Sequence, residues 1–94
     1  MQISEFVWTE DRIIHVGRHG VEAEEFEEVC FGKALVLRAK AQGENPAYYI
    51  LGETEAGRLL FCVVISFPDG KGYPVTAREM TEGERQRYSR WKKS

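Results

Sequence analysis

The chain has few of the residues that usually build disulfide, metal or nucleophile chemistry. Its 94 residues include two cysteines and two histidines. Cys30 and Cys62 stand alone in apolar neighbourhoods, so we expect them to pack as small hydrophobic side chains rather than to form a disulfide. The Gly70–Gly72 segment is too short for a glycine-rich phosphate loop and falls in a turn. No serine–histidine–acid arrangement can be argued, and no cofactor is expected.

Long apolar runs are also missing. No segment approaches the roughly 20 apolar residues that a membrane span requires, and no signal peptide is recognised before the first strand. We therefore expect a cytoplasmic protein with no membrane partner. The length predicts one domain over residues 1–94, and an apolar share of 43% with 12% aromatic residues can build a core without metal or disulfide.

Charge is distributed unevenly along the chain, although its net value is only −2. Residues 1–32 carry eight acids and two bases, residues 33–70 carry four of each, and residues 71–94 carry seven bases and three acids. Such asymmetry indicates an anionic partner at the C-terminal end. It is equally compatible with a self-complementary fold or with a basic antagonist.

A strand followed by two short helices is predicted for the N-terminal third. Ile3–Trp8 alternates and is rich in strand-forming residues, and Thr9 can cap the helix after it. Gly17 or Gly20 is expected to end that helix. Its apolar side is expected to consist of Ile13, Ile14 and Val16.

The second helix is predicted from about Glu22 to Phe31, with Gly32 closing it. Its buried stripe is expected to consist of Val21, Phe26, Val29 and Cys30. Its water-facing residues are expected to be Glu22, Glu24, Glu25, Glu27 and Glu28.

Four strands are predicted next, over Ala34–Ala39, Ala47–Gly52, Arg58–Phe67 and Tyr73–Ala77. A loop containing Gln42, a hairpin turn at Glu55–Gly57 and a turn at Pro68–Gly72 separate them. The nearly continuous apolar run of the third of these strands predicts a central position with both faces covered.

A capping box formed by Thr81 and Glu84 predicts a final helix that runs through Tyr88 and Trp91. The order is then strand, two helices, four strands and a helix. This order predicts an α+β domain with a four-stranded antiparallel meander and the C-terminal helix packed on the sheet.

Five short sequence words, in this order, resemble the BrnT family of type II toxins, small ribonucleases with a RelE-like fold. The words are Arg18–Val21 followed by Glu24–Val29, then Tyr49–Leu60, Val75–Thr81 and Glu84–Tyr88. The resemblance implies an RNA-cleaving toxin that a cognate antitoxin silences. It also implies that operator DNA is bound only in the complex with that antitoxin.

Metal-independent RNA cleavage needs a base for the 2′-hydroxyl, an acid for the leaving 5′-oxygen, and cations for the phosphorane. His19, beside Arg18 in the first word, is the candidate acid or base; alternatively it caps the helix end. Arg78 is the candidate phosphate clamp, with Glu79 holding it, or else the two form a surface ion pair. The candidates are expected to surround one concave basic spot.

Four further candidates complete the predicted site, and one of them, Arg85, is expected to be a second phosphate clamp. Arg85 and Tyr88 lie three residues apart on the final helix and therefore share a face. Tyr88 can stack on a base or serve as a packing residue. Arg58, at the start of the central strand, is a candidate substrate-binding residue, as is Arg18.

Metal chemistry is disfavoured. His15 and His19 have the i, i+4 spacing of paired metal ligands, but the segment between them lacks the glutamate of a metalloprotease motif. The glutamates of residues 22–28 spread around a helix face at helical spacing. We expect no metal site.

Two further functions compete with the ribonuclease. A non-catalytic protein-binding or DNA-regulatory module of the same fold is favoured by the sequence pI of about 5.7. Ala47 favours it too, because many members of the BrnT family carry a basic residue at the matching position. A stand-alone RNA-binding domain is the third possibility, and its affinity would fall steeply with salt.

Overall fold

The computed structural model describes residues 1–40 and 43–94. Gln42, from the predicted loop, lies outside the described residues. The elements, in chain order, are β1 (Glu5–Phe6), α1 (Glu10–Gly17), α2 (Ala23–Phe31), β2 (Leu35–Arg38), β3 (Ala47–Glu53), β4 (Leu59–Ser66), β5 (Lys71–Glu79) and α3 (Glu82–Lys93). The α+β architecture predicted from the sequence is confirmed.

One sheet holds the strands in the order β1-β5-β4-β3-β2. Strands β2 to β5 pair antiparallel with their chain neighbours, so the predicted meander is confirmed. The first strand is shorter than predicted, and it joins the sheet parallel to β5, with Phe6 opposite Gly72. A Cβ at Gly72 would lie 2.7 Å from the Phe6 ring, so the glycine allows this close approach.

Strand β4 lies at the centre, and its alternating side chains divide the core between the two faces of the sheet. Leu60, Cys62 and Val64 pack with residues of α1 and α2. On the opposite face, Leu59 and Phe61 pack against the cluster that contains Tyr88 of α3. The predicted central position is therefore confirmed, whereas the prediction that both faces are covered holds only for the face of α1 and α2, since Val63 and Ile65 on the other face are partly exposed.

Helix α1 begins at the predicted cap, where the Thr9 hydroxyl accepts a hydrogen bond from the backbone N–H of Arg12. Its predicted apolar side is largely wrong. Val16 is buried, whereas Ile13 is 49% and Ile14 58% exposed. Val16 is the buried residue of this eight-residue helix, and Arg12 also contacts the sheet by donating to the backbone carbonyl of Val75 at 3.1 Å.

Helix α2 buries the stripe that its spacing predicts, and Gly32 is its C-cap. The two cysteines are free and buried, Cys30 in α2 and Cys62 in β4, as predicted. Burial is the main cause that raises the pKa of the Cys30 thiol, and the neighbouring Cys62 adds to it. Both thiols therefore act as core side chains.

Helix α3 follows β5 after a two-residue turn and starts at the predicted capping box. The Thr81 hydroxyl accepts from the Glu84 N–H, and the Glu84 carboxylate accepts from the Thr81 N–H at 2.8 Å. Near its other end, Lys92 bonds Glu53 at 3.1 Å, where β3 ends. Helix α3 therefore runs along one end of the sheet, from β5 to β3.

No helix among residues 1–40 and 43–94 has the length and apolar character needed to cross a bilayer.

Candidate functional site

Arg58, Arg78 and Glu79 lie at the end of the sheet where β4 begins and β5 ends. They divide between the two faces of the sheet and both arginines are paired with carboxylates, so they do not surround the single basic spot that was predicted. Arg58, just before β4, connects three parts of the chain there. Its Nη1 donates to the Gly20 carbonyl at 3.0 Å and to both carboxylate oxygens of Glu25 at 2.8 Å. Its Nη2 donates to Glu79 Oε2 at 3.1 Å. The Arg58 guanidinium thereby joins the α1–α2 turn, helix α2 and the end of β5.

These contacts stabilise the charged forms of the groups involved. Pairing with Glu25, and then with Glu79, raises the pKa of Arg58. The pKa of the Glu25 carboxyl is lowered, first by the backbone N–H of Glu22 and further by Arg58. Arg58 was predicted to bind substrate; in the structure it is also the residue that holds this end of the molecule together.

Arg78 lies on the other face of the sheet and is held by Glu84. Its Nη1 and Nη2 donate to the two carboxylate oxygens of Glu84 at 2.8 and 3.0 Å. Nη1 also donates to the Glu79 carbonyl at 3.1 Å, and the guanidinium carbon lies 4.2 Å from the centre of the Phe61 ring. The hydrogen bond to Glu84 is the largest cause that raises the pKa of Arg78.

This pairing leaves one edge of the Arg78 guanidinium available. The contact with Glu84 uses the end formed by Nη1 and Nη2. Among the hydrogen bonds of residues 1–40 and 43–94, the Nε–H and the second Nη2–H have no acceptor. These two parallel donors match two phosphate oxygens, while the bound carboxylate fixes the direction in which they point.

The predicted role of the Glu79 carboxylate in holding Arg78 is wrong. Adjacent strand residues point to opposite faces of a sheet, so the Glu79 carboxylate meets Arg58 while Arg78 meets Glu84. Glu79 contributes its backbone carbonyl to Arg78. Its side chain is 59% exposed, which leaves the carboxylate accessible from solvent.

Arg18 and His19 lie in the turn between α1 and α2, and both are exposed. Arg18 is the C-cap residue of α1, and its backbone N–H bonds the His15 carbonyl at 3.2 Å. His19 directly precedes Gly20, whose carbonyl accepts from Arg58. The Arg58 guanidinium therefore holds the backbone next to His19 and also contacts Glu79.

The two α3 candidates differ in their surroundings. Tyr88 is 4% exposed and packs in the cluster of Leu51 and Met80, so the predicted contact of its ring with substrate is wrong and the packing alternative holds. Arg85 is exposed one turn after Thr81. It forms no ion pair within residues 1–40 and 43–94.

The glutamates of α2 do more than face water. Glu25 pairs with Arg58, Glu27 accepts from the Trp8 indole N–H at 2.7 Å, and Glu28 accepts from the backbone N–H of Glu55 at 3.1 Å. Glu25 and Glu28 also help to line an open pocket of about 440 Å³ beside Arg58. Periodicity predicts which face of a helix is polar, but it does not say which loops approach that face.

The sequence prediction missed two residues that orient the site. Glu25 was counted among solvated glutamates, and Glu84 was recognised as a capping residue alone. Glu84 carries a usable signal, because a capping-box glutamate three residues after Thr81 lies next to the end of the preceding strand. No comparable signal identifies Glu25, since its partner Arg58 is distant in sequence.

Taken together, this end of the sheet offers an exposed carboxylate and two oriented guanidinium groups, and one of these bonds the backbone next to His19. Among residues 1–40 and 43–94, no group of three or more histidine, cysteine, aspartate or glutamate side chains could hold a metal ion. The groups present can exchange protons and stabilise negative charge on a phosphate. Comparison with models of known protein families finds no match, and comparison with curated proteins finds no relative.

Proposed function

We propose that this chain is a toxin-like endoribonuclease of a type II toxin–antitoxin pair that cleaves RNA without a metal. The observation that carries the proposal is that the Arg58 guanidinium donates hydrogen bonds to both the Gly20 carbonyl and the Glu79 carboxylate. These bonds bring the backbone beside His19 to the exposed carboxylate of Glu79. Arg78 follows from the same strand end, with two donors left for a phosphate.

The roles follow from the chemistry of each group. Glu79 takes the proton of the ribose 2′-hydroxyl, and the 2′-oxygen attacks the adjacent phosphorus. His19, in its protonated form, gives a proton to the leaving 5′-oxygen as the P–O5′ bond breaks. Arg58 stabilises the negative charge of the phosphorane. Arg78, on the other face of the sheet, binds an adjacent phosphate of the same RNA strand and so positions the substrate for attack. The products are a 2′,3′-cyclic phosphate and a 5′-hydroxyl.

Arg18 and Arg85 are assigned to substrate binding at the two sides of this centre, since both are exposed. Arg85 was predicted as part of the catalytic group, and its position on α3 supports contact with a neighbouring phosphate. In the cytoplasm, the partner is a cognate antitoxin that covers the basic surface of α3. Operator DNA is bound only by the complex of the two proteins.

The test is cleavage of total RNA in the presence of EDTA by the wild type and by Arg78→Ala. Loss of the oriented charge at the adjacent phosphate is expected to misplace the substrate and slow cleavage by about 100-fold. Arg38→Ala is the matched control, because Arg38 is an exposed arginine on edge strand β2. Absence of cleavage by the wild type, or equal rates for wild type and Arg78→Ala, would reject the proposal.

A non-catalytic protein-binding module of the same fold is the second candidate. It is favoured by the charge balance of the site, since Arg58 and Arg78 are each paired with carboxylates and can serve the fold alone. Expression in a bacterial host distinguishes the two. The ribonuclease arrests growth and a co-expressed antitoxin relieves the arrest, whereas the binding module leaves growth unchanged.

A further inference from the structure

A row of three side chains crosses the sheet beside α3. Arg78 of β5 lies over the ring of Phe61 of β4, and the Phe61 ring centre is 5.2 Å from that of Tyr49 of β3. Arg78 and Phe61 are direct cross-strand partners. Tyr49 shares their face because it is two residues before Leu51, which packs in the cluster under α3.

Helix α3 leaves part of this face uncovered. It contacts the end of the sheet through Tyr88 and Trp91, which pack with Leu51 and its neighbours. We use the name open face for the residues on the same side that lie farther along the strands: Tyr49, Val63, Ile65 and Thr76. Tyr49 is 38% exposed, and the other three are partly exposed. The row of Arg78, Phe61 and Tyr49 thus lies between α3 and the rest of this open face.

The cationic side chains beside the open face are suited to bind a polyanion. Arg78 has two donors without acceptors among the described residues. Arg87 lies three residues after Glu84, so it follows Glu84 on the same side of α3. It is exposed and has no ion pair within residues 1–40 and 43–94. Cations beside an exposed aromatic ring are the combination that binds single-stranded nucleic acid, with phosphates on the cations and bases on the ring.

We infer that Tyr49 is a stacking platform for a base of single-stranded RNA whose backbone phosphate binds Arg78. Phe61 supports both, because it contacts the guanidinium on one side and the Tyr49 ring on the other. This inference rests on the proposed ribonuclease function and specifies how its substrate is held. Base stacking on a ring tolerates every base, so the platform predicts weak sequence preference and a requirement for unpaired RNA.

The test is binding of a fluorescent 2′-O-methyl RNA homopolymer, which cannot be cleaved because its 2′-oxygen carries a methyl group. Tyr49→Ala is expected to weaken binding roughly tenfold, as for the loss of one stacked base, while Tyr49→Phe retains most of the affinity. Val36→Ala is the matched control, since Val36 is 40% exposed on β2. Its cross-strand partner is Ile50, so it belongs to the opposite face. A second control changes the ligand instead of the protein. A polymer with the same backbone but no bases should bind the wild type weakly.

The outcomes separate this inference from the proposed function. If RNA is cleaved but Tyr49→Ala binds as tightly as the wild type, stacking on Tyr49 is wrong and the ribonuclease stands. If the homopolymer binds through Tyr49 but no RNA is cleaved, the stacking site stands and the ribonuclease fails. If the wild type binds no RNA, or if Tyr49→Ala changes dimerisation in sedimentation instead of RNA affinity, the inference is overturned.

Discussion

Neighbouring residues at the end of β5 have separate tasks because a strand sends their side chains to opposite faces. Arg78 is fixed by Glu84 on the α3 face, and Glu79 meets Arg58 on the face of α1 and α2. The pair therefore reaches both sides of the sheet end. Arg58 then connects Glu79 to the turn that contains His19. In the proposed function, the carboxylate is that of Glu79 and the two cations are Arg58 and Arg78, all at one end of the sheet.

Glu84→Gln tests the residue that orients Arg78. Arg78 is the main cause that lowers the pKa of the Glu84 carboxyl, and the backbone N–H of Thr81 lowers it further. A carboxyl with a lowered folded-state pKa stabilises the protein above its unfolded-state pKa and loses that effect as pH falls through the folded-state value. Glutamine keeps an oxygen for the cap but removes the charge.

At pH 7 we therefore expect Glu84→Gln to lower the free energy of unfolding by about 0.5–1 kcal/mol, since both partners are partly exposed to solvent. The difference from the wild type should shrink as pH falls from the unfolded-state pKa of about 4.3 through the lowered folded-state pKa of the Glu84 carboxyl. Urea titrations of both proteins at pH 7 and in this acid range measure it. A difference that does not depend on pH would show that the ion pair contributes nothing.

Among the elements, helices with caps and strands with turn signals were predictable from local sequence. The bounds of α2 and the cap of α3 agree with the sequence within a residue or two, because capping and periodicity act over a single turn. The pairing of β1 with β5 was not predictable. It joins residues that are far apart in sequence, and it requires a residue without a side chain at Gly72, where the Phe6 ring packs.

Two glycine substitutions test how β1 and α3 are held. In Gly72→Ala the new Cβ meets the buried Phe6 ring at 2.7 Å, and this overpacking is expected to destabilise the protein by about 1–3 kcal/mol. Gly83→Ala is the contrast, because nothing lies within 4 Å of its Cβ, and it should stabilise α3 by up to about 1 kcal/mol. Urea unfolding of both variants gives the two values. Equal effects of the same sign would contradict the packing of β1 described here.

At the scale of the whole molecule, the fold joins the acidic N-terminal part of the chain to its charge-balanced middle part. The acidic N-terminal third supplies Glu25 to Arg58, while the basic C-terminal part forms the outer surface of α3. Sequence alone identified the cations that reach the sheet end, Arg58 and Arg78. It did not identify their carboxylate partners. Glu25 is 33 residues from Arg58, so their pairing depends on topology, whereas Glu84 is six residues from Arg78 and was predicted only as a capping residue.

The most direct test is to identify the ends of the RNA fragments that the protein produces in EDTA. Mass spectrometry of the wild-type products should show 2′,3′-cyclic phosphates. Glu79→Gln should slow their formation by about 100-fold, as for loss of a general base, while Glu44→Gln, which changes an exposed glutamate elsewhere, should not. Cleavage that stops in EDTA, fragments with free 3′-hydroxyls, or an unchanged rate for Glu79→Gln would contradict the assignment of the sheet end as a metal-independent ribonuclease site.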